Sequence, residues 1–135
     1  MLSPSGNDPL QAAYGVYFIP GEPNKYYFFQ DLDQNNTFTD GGDGPDENDN
    51  EHITTYYLRG GHTIDDACTV TGSTRQCFSS SPSPLSSLRI VFRRPNPDAI
   101  VNGAARNAEI VIESHSGVRR TIRVLPTGQI EILRP

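Results

Sequence analysis

The sequence predicts a mainly β fold of antiparallel sheets that ends in a three-strand meander. Short runs rich in aromatic and β-branched residues recur along the 135-residue chain, and clusters of Gly, Pro, Asn or Ser bound them. No segment shows the apolar repeat of an amphipathic helix. Connections of two or three residues separate the last three runs, and connections this short join antiparallel neighbours.

The first strands are separated by turn clusters and by one long polar segment. YGVYFI (14–19) ends at the cluster PGEPN, KYYFFQD (25–31) leads into the polar segment, and HITTYYLRG (52–60) follows it. HTIDDACTV (62–70) predicts a further short strand. SSSPSPLSS (79–87) is predicted to lie outside the sheets, because proline has no N–H to donate to a strand ladder.

The second half begins with a strong strand signal, LRIVFRRP (88–95), which Pro95 and Pro97 end. A short turn of helix is the expectation for residues 98–105. The meander then consists of NAEIVIES (107–114), VRRTIRVLP (118–126) and QIEILRP (129–135).

Length and composition indicate one small domain with much loop. The chain is 35% hydrophobic and contains 12 Gly and 11 Pro. We expect residues 1–13 to be a linker remnant and residues 14–135 to form a single β-rich domain. Residues 1–51 carry ten acids and one lysine, whereas residues 52–135 carry ten arginines and six acids. The arginines favour solvated strand faces, although their forked geometry also suits phosphate or carboxylate partners.

The polar segment predicts a calcium-organised loop. Residues 31–51 hold eight of the sixteen acidic side chains and no basic residue, so their charges repel one another unless a cation lies among them. Asp31, Asp33 and Asn35 alternate as in the first half of an EF-hand loop, where oxygen ligands converge on one ion. The strand-like flanks exclude a helix–loop–helix.

The match to that loop is partial. Asn36 stands at the position where the template has glycine, and Gly42 stands at the position of the closing glutamate. The alternative is therefore a solvated acidic loop without metal. The predicted calcium ligands are Asp31, Asp33, Asn35, Thr37, Asp40, Asp43 and Glu51, and the acid that closes the shell is left open among Asp40, Asp43, Glu47 and Glu51.

The two cysteines predict a disulfide. Cys68 and Cys77 are separated by the turn-rich spacer TVTGSTRQ, so a hairpin would bring them within bridging distance. A disulfide implies an oxidising compartment, whereas the alternative is two buried free thiols in a cytosolic protein. No zinc-ligand spacing connects the cysteines to the histidines.

The order of these motifs resembles one family over most of the chain, Ala13 to Leu133. AYGVYF, YYFFQDLDQNN-TFTD, RIVFRRPNPDA and AEIVIE-SHSG-VRRTIRVLPTGQIEI occur in this order. The chain is similar to the globular heads of type IV pilin-like proteins, specifically the minor pseudopilins of the GspH/FimT type. Their heads carry an Asp/Asn-rich loop and end in paired strands with a glycine turn.

The resemblance implies a structural subunit of a type IV pilus or type II secretion filament. It implies an α+β full-length protein whose hydrophobic N-terminal helix, absent from these residues, anchors it in the inner membrane. The head would lie in the periplasm or outside the cell, bind other pilin or pseudopilin subunits, and hold calcium. The missing export signal leaves two expectations: a removed N-terminal segment, or a cytosolic protein.

Two other functions remain open, and an enzyme is not expected, because no nucleophile–base set, phosphate loop or small-molecule substrate site emerges from the chain. A DNA-binding minor pilin would use the arginines of the meander, which are Arg119, Arg120, Arg123 and Arg134. The net charge of −5 and the lack of aromatic residues beside these arginines oppose DNA binding. A calcium-dependent adhesion or carbohydrate-binding module would use exposed tyrosines among Tyr26, Tyr27, Tyr56 and Tyr57.

Overall fold

Ten β-strands make up the part of the chain that the structure, a computed structural model, describes: residues 13–31, 52–93 and 98–133. The strands are β1 (Ala13–Phe18), β2 (Lys25–Asp31), β3 (His52–Tyr57), β4 (Thr63–Thr71), β5 (Thr74–Cys77), β6 (Leu88–Phe92), β7 (Ala99–Val101), β8 (Asn107–Glu113), β9 (Arg119–Val124) and β10 (Ile130–Leu133).

The strands form two five-stranded sheets in which each pair is antiparallel. The first sheet has the order β3-β2-β1-β6-β7, and the second sheet has the order β10-β9-β8-β4-β5. The predicted mainly β class is confirmed. The meander is present as β8, β9 and β10, which pair consecutively. As predicted, the Ser/Pro-rich segment 79–87 contains no strand.

The prediction of a helical turn over residues 98–105 is wrong. Its first part is β7, which pairs with β6, and the chain then reverses at Asn102 and Gly103. Both residues have positive φ, 48° and 84°, and Val101 and Ala104 exchange backbone hydrogen bonds across them. An Asn-Gly dipeptide is the strongest local signal for such a two-residue reversal, because asparagine and glycine tolerate positive φ best.

A core between the sheets joins them face to face. Leu88, Ile90 and Val101 of the first sheet are at most 1% exposed. They belong to one cluster with Ala67 and Ile110 of the second sheet. These side chains come from alternate positions of their strands, which places them on the facing surfaces of the two sheets.

The opposite face of the first sheet carries a second buried cluster. Phe29 and Val91 are fully buried there, and Tyr27 is 3% exposed. Gly15 lies beneath this cluster, where a Cβ atom would stand 2.6 Å from the Phe29 ring and 2.6 Å from the Ile90 carbonyl oxygen. The aromatic ring thus occupies the space that a side chain at position 15 would need, which accounts for glycine inside a strand.

Candidate functional site

An apolar cleft of about 350 Å³ lies between the two sheets. Aromatic and aliphatic side chains of the first sheet and its flank line one wall: Val16, Phe18, Tyr26, Leu58, Ile90 and Phe92. Aliphatic side chains of the second sheet line the other wall: Ile64, Ile110, Ile112, Ile122, Val124 and Ile130. A concave surface with this lining binds apolar groups rather than charged ones.

The apolar surface continues out of the cleft along the edge of the second sheet. Ile130 is 59% exposed and Ile132 is 71% exposed. Ile132 lies opposite Ile122 in the β9–β10 register and therefore on the same face as the cleft wall. Exposed aliphatic side chains beside an apolar cleft extend the apolar surface that a protein, membrane or ligand could contact.

Aromatic rings form the corresponding edge of the first sheet. Tyr56 on β3 is 48% exposed and stacks on Tyr26 at 5.4 Å between ring centroids. Tyr26 in turn stacks on Phe18 at 5.2 Å. Burial raises the pKa of Tyr26, and the neighbouring Tyr56 adds to the increase. Tyr26 lines the cleft, so the row of stacked rings leads into the cleft wall.

The four tyrosines of the carbohydrate-binding interpretation do not form one surface. Tyr27 is buried on the opposite face of the first sheet, where its hydroxyl donates to Glu22 Oε2 at 3.0 Å. Burial is the main cause that raises its pKa. Tyr57 is 57% exposed, and its position beside Tyr56 on a strand directs it to the other face.

Of the predicted calcium ligands, the structure describes Asp31. It is the last residue of β2, pairs with Ala13 of β1, and is 1% exposed. Its parity with Phe29 places it on the face of the second buried cluster. The other predicted ligands lie outside the described residues: Asp33, Asn35, Thr37, Asp40, Asp43 and Glu51. The calcium site therefore remains a prediction.

The predicted disulfide between Cys68 and Cys77 is confirmed. The two residues are direct register partners in the β4–β5 hairpin, and their sulfur atoms are bonded to each other. The carboxylate of Asp66 lies close enough for the three side chains to resemble a metal cluster. Because the sulfurs are bonded to each other and Asp66 accepts hydrogen bonds from Ser79, this group does not offer the thiolate ligands that a metal needs.

Two of the four arginines predicted to contact DNA are paired with acids. Arg119 pairs with Asp65, and Arg123 contacts Glu109 at 3.2 Å and Glu131 at 3.8 Å. The guanidinium of Arg120 donates to the Arg119 carbonyl. Arg134 lies outside the described residues. The carboxylates offset the charge that a DNA backbone would need, so this face has less attraction for phosphate than the sequence suggested.

Glu109 is the centre of this ion-pair network. Its side chain is 4% exposed, and Arg75 of β5 approaches it from the side opposite Arg123. A buried carboxylate is favourable only when it is paired and hydrogen-bonded, and here two guanidinium groups meet that requirement.

Comparison with known proteins identifies no relative: no family model, curated protein or solved structure matches the chain. Within residues 13–31, 52–93 and 98–133, no helix has the length and apolar character needed to span a membrane.

Sequence reasoning did not predict the cleft. The alternation of Ile110 and Ile112 was visible in the sequence and indicated one buried face. The pattern could not predict that Ile130 and Ile132 remain exposed. Alternation shows which face a side chain occupies and not what covers that face.

Proposed function

We propose that this chain is the globular head of a structural subunit, a minor pilin or pseudopilin of a type IV pilus or type II secretion filament. The cleft then receives an apolar helix of the assembled filament. The order of sequence motifs supports the family, and the apolar cleft supports the role in assembly. Partners are other pilin or pseudopilin subunits rather than a small-molecule substrate.

The open cleft is the observation that carries the proposal. One stripe of an amphipathic helix is apolar and needs an apolar wall to cover it. Two isoleucines, Ile130 and Ile132, remain largely exposed at the mouth. Burying an isoleucine side chain contributes about 1.5–3 kcal/mol, so covering both provides a substantial part of a binding free energy.

A location in the cell envelope belongs to the same proposal, with an N-terminal helix in the inner membrane and the head in the periplasm or outside the cell. The Cys68–Cys77 disulfide supports it, because disulfides persist in oxidising compartments.

Calcium is the proposed ligand of the acidic segment that follows Asp31. Its Asp and Asn side-chain oxygens and the Thr37 carbonyl are the kinds of donor that Ca²⁺ prefers. The buried carboxylate of Asp31 lies at the start of the segment.

Saturating Ca²⁺ at 100 times its dissociation constant would add about 2.7 kcal/mol to the free energy of unfolding. Thermal melts in Ca²⁺ and in EDTA measure this, with Asp33→Asn as the variant; identical midpoints would reject calcium but leave the assembly role intact.

Site-specific photo-crosslinking in the native host tests the assembly role. A photoreactive phenylalanine at Ile132 should form adducts with the apolar helix of a filament subunit, identified by the crosslinked peptide. The same residue at Thr121 is the control, because Thr121 lies on the other face of the second sheet. Equal adducts from both positions, or none from Ile132, would contradict the proposal.

A further inference from the structure

We infer that one end of the sandwich holds a binding site for a small oxyanion, a carboxylate or a phosphate, centred on Arg106. A concave site of about 300 Å³ lies there, separate from the apolar cleft. The residues that line it are Val70, Thr71, Gly72, Ala105, Arg106, Asn107 and Pro126. They come from three chain reversals: the β4–β5 turn, the segment between β7 and β8, and the β9–β10 turn.

The charge of the site favours an anion. Among the described residues that line the cavity, Arg106 is the one charged residue and none is an acid. Thr71 and Asn107 add a hydroxyl group and an amide group, both of which are hydrogen-bond donors. This combination of one guanidinium and neutral donors suits a carboxylate or phosphate, which the planar fork of arginine binds with two parallel hydrogen bonds.

Arg106 differs in its hydrogen bonding from three arginines of the second sheet. Arg75, Arg119 and Arg123 each pair with a carboxylate. The Nε atom of Arg106 is buried and has no hydrogen-bond partner among the described residues. Buried donors in folded proteins are nearly always satisfied, and an arginine cannot lose its proton to avoid the problem. A bound oxyanion would accept from the terminal Nη groups of the guanidinium, whereas the buried Nε–H lies beyond its direct reach.

Backbone hydrogen bonds hold the walls of the site in place before a ligand binds. The Pro126 carbonyl accepts from the Ala99 N–H at 2.8 Å, which ties the β9–β10 turn to the first sheet. The Leu125 N–H donates to the Gln129 carbonyl at 2.9 Å and closes that turn. On the opposite wall, Gly72 adopts a φ of 59°, which glycine tolerates without strain. A ligand therefore has little backbone to order, which favours binding.

Titration with inorganic phosphate and, separately, with acetate tests the site at constant ionic strength. The Nε–H resonance of Arg106 in ¹⁵N NMR spectra should shift saturably with at least one of the two anions, and their relative affinities distinguish phosphate from carboxylate. Arg106→Gln should weaken binding at least tenfold. Arg120→Gln removes the same charge elsewhere on the exposed surface and should leave binding unchanged.

Thr71→Glu provides a second variant that keeps Arg106. It places a competing carboxylate at the wall of the cavity, so it should also weaken anion binding at least tenfold while circular dichroism stays unchanged. Absence of a saturable shift with both anions, or equal binding by wild type and Arg106→Gln, would overturn the inference.

Discussion

The two sheets differ in how they are stabilised. The first sheet has buried apolar side chains on both faces: Leu88 and Ile90 point toward the second sheet, and Phe29 and Val91 point away from it. The second sheet has one apolar face, and its other face carries the ion pairs of Glu109 and the Cys68–Cys77 disulfide. Packing thus dominates the first sheet, whereas directed polar and covalent contacts reinforce the second.

The sequence patterns of the strands follow from this difference. A strand buried on both faces has near-continuous apolar residues, as in YGVYF and LRIVF of the first sheet. A strand with one polar face alternates, as in AEIVIE and RRTIRV of the second sheet. In these four strands the pattern type matches the sheet, although it does not determine the strand order.

Truncation of Phe29 should produce the largest loss of stability. Phe29 is fully buried in the second cluster of the first sheet, so Phe29→Ala removes its packing and leaves a cavity. We expect a loss of about 3–5 kcal/mol in the free energy of unfolding. Urea denaturation measures it, and Ile132→Ala, at a site 71% exposed, should change stability by less than about 0.5 kcal/mol. Similar losses for the two variants would contradict the packing assignment.

Removal of the disulfide should have the next largest effect. Replacing Cys68 and Cys77 together by alanine opens a loop with a sequence separation of 9, for which chain entropy predicts a loss of roughly 2–3 kcal/mol. Denaturation of the wild type with and without reductant provides the matched comparison. A double variant as stable as the oxidised protein would show that β4–β5 pairing alone holds this edge.

Neutralising Glu109 tests the polar face of the second sheet. Glu109→Gln removes the buried charge that Arg75 and Arg123 share, but both guanidinium groups keep access to water, with exposures of 50% and 34%. We therefore expect a loss of about 1–2 kcal/mol, less than for a fully buried pair. Glu131→Gln should lose less than about 0.5 kcal/mol, because its 3.8 Å contact with Arg123 is more exposed. Equal effects would contradict the central role of Glu109.

The smallest expected effect is a loss of first-sheet stability at alkaline pH. Burial raises the pKa of Tyr26 and Tyr27 above the ordinary value of 10.0. Hydrogen bonds to Tyr27 and then Glu22 raise the pKa of Lys25 above 10.5. Folding thus favours the protonated forms of these three side chains. Their contribution to the free energy of unfolding is complete below the unfolded pKa values and is lost as pH rises through the folded pKa values.

Chemical denaturation between pH 8 and pH 11 measures this dependence. Tyr27→Phe removes one titrating group and should reduce the decline above about pH 10. Tyr57→Phe is the control, because Tyr57 is 57% exposed. An alkaline decline that is unchanged in Tyr27→Phe would show that Tyr27 does not contribute to it.

Local signals predicted most strands but missed the two short ones. β2 spans the predicted residues 25–31, and β8 begins at the predicted Asn107, because aromatic or alternating runs with clear turn boundaries identify strands. The four-residue β5 and the three-residue β7 are too short to show periodicity, and each is a strand because a neighbour supplies its hydrogen bonds. For β7, the Asn102-Gly103 dipeptide was the available signal.

The candidate sites also divide into those that the local sequence predicted and those that it did not. The Cys68–Cys77 pair was predictable because the eight residues between them are rich in turn formers and let the two cysteines meet. The pairing of Arg123 with Glu109 was not, since the two residues meet through the register of β8 and β9. The apolar cleft and the Arg106 site also depend on side chains that are distant in sequence.

The sequence alone determined the β class, the faces of the long strands and the disulfide, because backbone sterics, alternation and short loop closure act over a few residues. Tertiary structure decided the strand order, the burial of Asp31, the pairing of Arg119 and Arg123 with acids, and the two cavities. These properties arise where the two sheets and their turns converge, and the free energy of such contacts depends on partners that lie tens of residues away along the chain.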